Sequence, residues 1–196
     1  MQGGINTYTY TYTYTYTYAY AYAYAYAYAY VYNNPLSFTD PFGLETKVHV
    51  GGNSWYGHAA TSINGTVYSA GRYPVTGREP TKGGLAGPNV LVVRGEAGYL
   101  ASHPTTTSYT LNISAQEEAK LQQYYKDLIA QSTAHPSRGN WHVLEDDYSF
   151  LGNNCYSVVV DGLSSALPWY QSLSLPGLAT PQTLKLNLEA SPFLVK

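Results

Sequence analysis

The sequence predicts an α+β domain over residues 45–196, with an antiparallel sheet packed on helices, preceded by a low-complexity tyrosine repeat within residues 1–44. Two patterns predict this class. The first pattern is a set of short strand-like runs, two of which are joined by a hairpin signal. The second is a pair of segments with the apolar spacing of helices. Because a stretch of this length buries about two thirds of its unfolded surface around one core, we expect a single domain after the repeat.

The repeat covers residues 7–32 and consists of thirteen X-Tyr dipeptides, six Thr-Tyr, six Ala-Tyr and one Val-Tyr. Its period of two places every tyrosine on one face of an extended strand. A segment with high β-propensity and without charge or proline is typical of self-pairing sequences. One hypothesis is therefore that the repeat is an adhesive or fibre-forming element.

The segment that follows, residues 33–44, has the sequence N-N-P-L-S-F-T-D-P-F-G-L. Its last five residues, Asp40 to Leu44, resemble the D-P-x-G-L signature that ends the conserved core of Rhs/YD-repeat proteins. The resemblance implies a β-shell core that encloses a variable toxin, an aspartyl self-cleavage after Leu44, and an effector that begins at Glu45. It also favours a plainer interpretation of the repeat, as an expanded form of the short segment that precedes N-N-P-L in those cores.

Five runs after the junction have the composition of strands: residues 47–50, 56–63, 66–70, 90–93 and 109–113. Asn64-Gly65 is a two-residue turn signal, which predicts that the second and third strands pair as an antiparallel hairpin. Residues 72–88 are rich in Gly and Pro and predict a long loop, of a kind that often borders a functional site.

Two segments predict helices. Ser114 and Glu117 have the spacing of a capping box, which predicts a helix over residues 115–131. Its apolar face consists of Leu121, Tyr124, Tyr125 and Leu128. In the second segment Asn154 is the predicted N-cap and Cys155 occupies the first turn. One stripe of that helix contains Cys155, Val158, Val159, Leu163 and Ala166.

Composition limits the function classes. Residues 45–196 carry ten Lys and Arg against eleven Asp and Glu, so no basic face for nucleic acid is predicted. The H-x-E with P-C-x-x-C pattern of deaminases is missing as well. Cys155 is the single cysteine, which excludes an intrachain disulfide and a zinc set of cysteines. We expect neither a metal nor another cofactor.

Cys155 and His58 are the residues whose surroundings indicate chemistry. Amide groups at a helix start, together with an imidazolium, can lower a thiol pKa from about 8.5 to between about 3.5 and 7.5. His58, in a G-H-A-A strand, is the candidate partner for the proton. The alternatives are a small buried hydrophobe for Cys155 and a core histidine for His58.

The remaining histidines show no metal-ligand spacing, and we expect surface or structural roles for His49, His103, His135 and His142. The acidic run of residues 145–147 is a candidate cation site, but three acidic neighbours between strand-like pieces more often form a solvated turn.

The order of a G-H-A-A strand, a hairpin, a helix and a late N-C at a helix start resembles the circularly permuted NlpC-type papain-like hydrolases. Relatives of lecithin:retinol acyltransferase belong to this group. The resemblance implies a papain-like fold, with Cys155 as nucleophile and His58 as base. A third polar residue that orients the base is expected on the following strand, as Tyr68 or Ser69, with Ser69 the closer match by spacing.

The two resemblances together imply an antibacterial Rhs effector that acts as a cysteine hydrolase on a peptide amide, in peptidoglycan or in a protein. The runner-up is a lipid acyl hydrolase or acyltransferase, and the non-enzymatic alternative makes the tyrosine repeat the working part. Implied partners are the Rhs core, a secretion machinery and an immunity protein. Because the N-terminus lacks a signal-peptide pattern, we expect a carrier to deliver the protein into a target bacterium.

Overall fold

The computed structural model describes residues 45–52, 57–81, 85–150, 152–167 and 180–191. The predictions made for residues 1–44, including the tyrosine repeat and the junction residues Asp40 and Leu44, lie outside these ranges.

The sheet has an antiparallel pairing throughout. The described strands are β1 (Thr46–Gly51), β2 (His58–Ile63), β3 (Thr66–Arg72), β4 (Ala86–Gly87), β5 (Asn89–Gly95), β6 (Thr106–Leu111), β7 (Thr133–Ala134), β8 (Trp141–Val143) and β9 (Tyr148–Ser149). Seven of them form one sheet in the order β6-β1-β2-β3-β5-β8-β7, and β4 pairs with β9. With the helices, this sheet confirms the predicted α+β class.

The described helices are α1 (Glu96–Ser102), α2 (Ala115–Ala130), α3 (Cys155–Ala166) and α4 (Pro181–Ala190). The predicted capping box of α2 is present, since Ser114 and Glu117 bond to each other's backbone amides. Helices α2 and α3 pack tightly at Gly162, where an added Cβ would lie 3.0 Å from the Tyr124 ring. None of the described helices is both long and apolar enough to span a membrane.

The hairpin between β2 and β3 has the predicted turn. Asn64 and Gly65 adopt φ angles of 51° and 75°, the left-handed region that a two-residue hairpin turn requires. The Asn64 side chain accepts a hydrogen bond from the Glu45 amide at 3.0 Å and donates one to Glu118 at 2.9 Å. The turn is thereby tied to both β1 and α2.

The main core lies between one face of the sheet and helices α2, α3 and α4, while Tyr99 of α1 packs in a separate cluster with Ala60 and Val67. The predicted α3 stripe is buried along its length, and Leu121 and Tyr125 of α2 are fully buried beside it. The Tyr125 hydroxyl donates a hydrogen bond to Thr61 of β2 at 2.7 Å. This packing places the N-terminus of α3 against the sheet, where the candidate site lies.

Several elements differ from the predictions. The strand predicted at residues 109–113 is β6, shifted toward the N-terminus because it pairs with β1 along its whole length, from Gly51↔Thr106 to Thr46↔Leu111. Helix α1 was not predicted, because it has seven residues and buries only Tyr99. Helix α4 was also missed.

Candidate active site

Cys155 is the first residue of α3, and Asn154 fixes its position. The Asn154 Oδ1 accepts hydrogen bonds from the amides of Tyr156 at 2.9 Å and Ser157 at 3.2 Å. The Ser157 hydroxyl accepts the Asn154 amide at 2.9 Å, which completes a capping box. The Asn154 Nδ2 donates to the Phe150 carbonyl at 2.9 Å. The Asn154 side chain therefore joins the preceding turn to the first turn of α3, where Cys155 lies.

Replacing Asn154 by alanine should lower the free energy of unfolding by about 1–2 kcal/mol, because the cap bonds are lost. Asn154→Ser, which keeps an oxygen for capping, should cost less. Urea denaturation followed by circular dichroism measures both. Equal stability of Asn154→Ala and the unchanged chain would contradict the role given to the cap.

The Cys155 thiol is nearly enclosed, with 4% of the residue exposed. Burial raises its pKa, and hydrogen bonds from the backbone amides of Ala59, Tyr156 and Cys155 itself oppose this rise. The helix-start amides thus act as the sequence suggested, but burial outweighs them, so the expected lowering of the thiol pKa is wrong for this structure. At neutral pH Cys155 rests as a thiol.

His58 begins β2, and its Nε2 lies 2.7 Å from the Ser69 hydroxyl of β3. Tyr68, the alternative third residue, instead stacks on Tyr125 with ring centroids 4.4 Å apart, within the core. The structure therefore brings Ser69, and not Tyr68, to the histidine. With Nε2 engaged by Ser69, Nδ1 is the ring nitrogen left to exchange a proton.

Burial, reinforced by the nearby His103 and Arg94, lowers the pKa of His58 to about 4. The imidazole is therefore neutral at neutral pH. At neutral pH the cavity therefore contains a neutral Cys155 thiol and a neutral His58 imidazole.

His58 and Cys155 line the same cavity, which has a volume of about 310 Å³. The other lining residues are Gly57, Gly71, Arg72, Tyr73, Tyr148 and Phe150. Gly57 has no room for a side chain, since an added Cβ would lie 2.4 Å from the Gly51 carbonyl oxygen. The sulfur also accepts the amide of Ala59, the residue after His58. The Cys155 sulfur therefore lies against the backbone of β2, and the Cys155 and His58 side chains reach the same cavity.

Tyr148 adds a hydrogen-bond donor to this cavity. Burial, and next the proximity of Cys155, raise its pKa to about 12, so its hydroxyl stays protonated at neutral pH. A neutral phenol can donate to an oxygen that becomes negative during acyl transfer. Arg72 contributes a positive charge to the same wall.

Sequence patterns did not single out His103. Its ring stacks on that of His58, with centroids 5.5 Å apart and planes 17° from parallel, and on Tyr99 at 4.4 Å. A surface or structural role had been expected, and the structure places His103 against the His58 ring. Nothing in the sequence near His103 resembles a motif, so only the tertiary structure reveals it.

His49 has the structural role expected of it. It is fully buried, its Nδ1 lies 2.9 Å from the Ser108 hydroxyl, and Glu96 approaches its Nε2 at 3.3 Å. Glu45, the expected first effector residue, is exposed and pairs with Lys47 at 2.8 Å.

Residues 145–147 are exposed, and Asp147 of this run pairs with Arg78. No group of three His, Cys, Asp or Glu side chains in the described part of the chain is placed to hold a metal ion.

No family model, curated protein or solved structure matches this chain.

Proposed function

We propose that residues 45–196 are a cysteine hydrolase of papain-like type, delivered as an Rhs effector. The observation that carries the proposal is that Cys155 at a helix start and His58 at a strand start, from distant parts of the chain, line one cavity. The Ser69 hydroxyl of the neighbouring strand lies 2.7 Å from the His58 Nε2. A nucleophile, a base and a group that orients the base are the minimum for acyl transfer through a covalent intermediate.

The reaction follows from these positions. The Cys155 sulfur attacks the substrate carbonyl carbon while His58 takes the thiol proton. The Cys155 backbone amide and the Tyr148 hydroxyl donate to the developing oxyanion. When the carbonyl–nitrogen bond breaks, His58 gives its proton to the leaving amine and a thioester remains. Water, deprotonated by His58, then hydrolyses the thioester and restores the thiol.

A peptide amide is the proposed substrate class, in peptidoglycan or in a protein. The cavity wall supports this choice, because Arg72, Tyr73 and Tyr148 offer polar groups where an acyl chain would need apolar ones. Lipid acyl transfer remains the alternative implied by the acyltransferase relatives. The proposed delivery rests on the D-P-F-G-L junction alone.

Expression of the chain in the cytoplasm and, separately, in the periplasm of a test bacterium checks this function. Cys155→Ser, nearly the same size as the native residue, is the matched inactive control. Toxicity confined to the periplasm and absent in Cys155→Ser supports a cell-wall target, and cytoplasmic toxicity supports a protein or lipid target. Toxicity that survives Cys155→Ser in both compartments would refute the hydrolase.

The neutral resting pair also predicts a pH profile. Acylation of Cys155 by p-nitrophenyl acetate needs the free imidazole, so its rate should persist below the ordinary histidine pKa of 6.5 and fall as the pH drops through about 4. Acid-quenched samples analysed by intact-protein mass spectrometry follow the acetylation at each pH, and circular dichroism confirms that the chain is folded there. A rate that is already halved near pH 6.5 would show that the reacting imidazole has an ordinary pKa, and would contradict a base whose pKa is lowered by burial.

A further inference from the structure

A second cavity lies beside the candidate active site. It has a volume of about 680 Å³ and shares Tyr73 with the first cavity. His103, which stacks on the catalytic candidate His58, also lines it. A substrate bound at Cys155 could therefore extend into this second cavity past Tyr73.

The second cavity carries positive charge without a compensating carboxylate. Arg94 and Arg138 line it, and its wall contains no Asp or Glu. In the described part of the chain, the ion pairs involve other cations, and neither arginine has a carboxylate partner. One terminal nitrogen of Arg94 donates to the His103 Nδ1 at 3.2 Å, while its Nε is buried without a hydrogen-bond partner among the described residues. A partly buried guanidinium with an unused donor favours an anion at this place.

Aromatic rings hold both guanidinium groups. Arg138 lies over the Trp141 ring, 4.0 Å from its centroid, and Arg94 lies over Tyr99 at 5.0 Å. Tyr73 packs against Trp141 with centroids 4.6 Å apart. The Arg138 guanidinium, stacked on Trp141, keeps an N–H edge that matches the two oxygens of a carboxylate, and Arg94 keeps the terminal nitrogen that does not bond to His103.

We propose that this cavity is a subsite for a carboxylate of the substrate, so that the enzyme acts on acidic peptides. The role as substrate rests on the proposed hydrolase function, whereas binding of a carboxylate in this cavity requires no catalysis. Arg94 and Arg138 would each donate to the carboxylate, and Trp141 would support Arg138.

The test uses the full chain carrying Cys155→Ala and two capped amino acids that differ only in charge, N-acetylglutamate amide and N-acetylglutamine amide. Ligand-observed NMR titration should show that the acidic compound binds at least about tenfold more tightly, a difference of about 1.4 kcal/mol. Arg94→Gln and Arg138→Gln should each remove most of this preference. Arg78→Gln, which removes an exposed arginine outside both cavities, is the matched control and should leave it unchanged.

Equal binding of the two compounds would overturn the subsite. So would a preference that both arginine variants retain. A third outcome would assign a different ligand. If inorganic phosphate binds and its binding depends on Arg94 and Arg138, while the two capped amino acids bind equally, the cavity is a phosphate site and the carboxylate proposal is refuted. Because binding is measured without the nucleophile, a failure here is separate from a failure of the toxicity test with Cys155→Ser.

Discussion

Cys155→Ala is expected to abolish hydrolysis and toxicity while the fold is retained. The sulfur is the only atom proposed to form a bond with the substrate, and loss of a nucleophile in such a unit reduces kcat by a factor on the order of 10⁶. Since Cys155 is the single cysteine of the chain, no other thiol can substitute for it. Growth of the test bacterium and circular dichroism of the purified variant measure the two effects.

A Cys155→Ala variant that stays toxic would point to the tyrosine repeat. If Cys155→Ala stays toxic while deletion of residues 7–32 removes toxicity, the tyrosine repeat is the working part and the domain is not an enzyme. If Cys155→Ala fails to fold, Cys155→Ser decides the question, because a hydroxyl of nearly equal size keeps the packing and loses most of the nucleophilicity.

His58→Ala is expected to reduce the rate of hydrolysis by about 10²–10⁴-fold, the contribution usual for a positioned base. The pair is neutral at rest, so without His58 nothing accepts the thiol proton as the bond forms. Toxicity of variant chains at matched expression levels measures the loss. His49→Ala is the informative comparison, because it removes a fully buried histidine that bonds to Ser108 away from the cavity.

A purely structural His58 would give a different pattern. His58→Ala and His49→Ala would then reduce toxicity in proportion to their loss of stability, and His58→Gln, which keeps a polar group near Ser69, would restore it. The proposed role predicts that His58→Gln remains inactive although it folds.

Local patterns were enough to predict the elements that carry the candidate residues. The Asn64-Gly65 turn fixes the register of β2 and β3, and so determines that Ser69 rather than Tyr68 reaches His58. The N-cap signal at Asn154 was enough to place Cys155 at a helix start.

The elements that were missed depend on distant contacts. Strands β4, β7, β8 and β9 have two or three residues each, too few for a period to show. Helix α1 follows β5 directly and contains Gly98, a poor helix residue. Strand β8 pairs with β5 and β7 with β8, while β4 and β9 pair with each other across about sixty residues, so none of these strands forms from its local sequence alone.

The electrostatics of the site could not be predicted from sequence either. The N-cap signal shows that amides surround the Cys155 sulfur, but not that burial outweighs them. Likewise, nothing in the sequence shows that Arg94 and His103 come close enough to His58 to lower its pKa.

The central claim is that His58 activates Cys155, and the most direct measurement is the acylation of the full chain by p-nitrophenyl acetate, followed by intact-protein mass spectrometry. We predict one acetyl group per chain, located on Cys155, at a rate that falls by at least about 10²-fold in His58→Ala. Labelling of Cys155 at the same rate with and without His58, or labelling at another residue, would contradict the account.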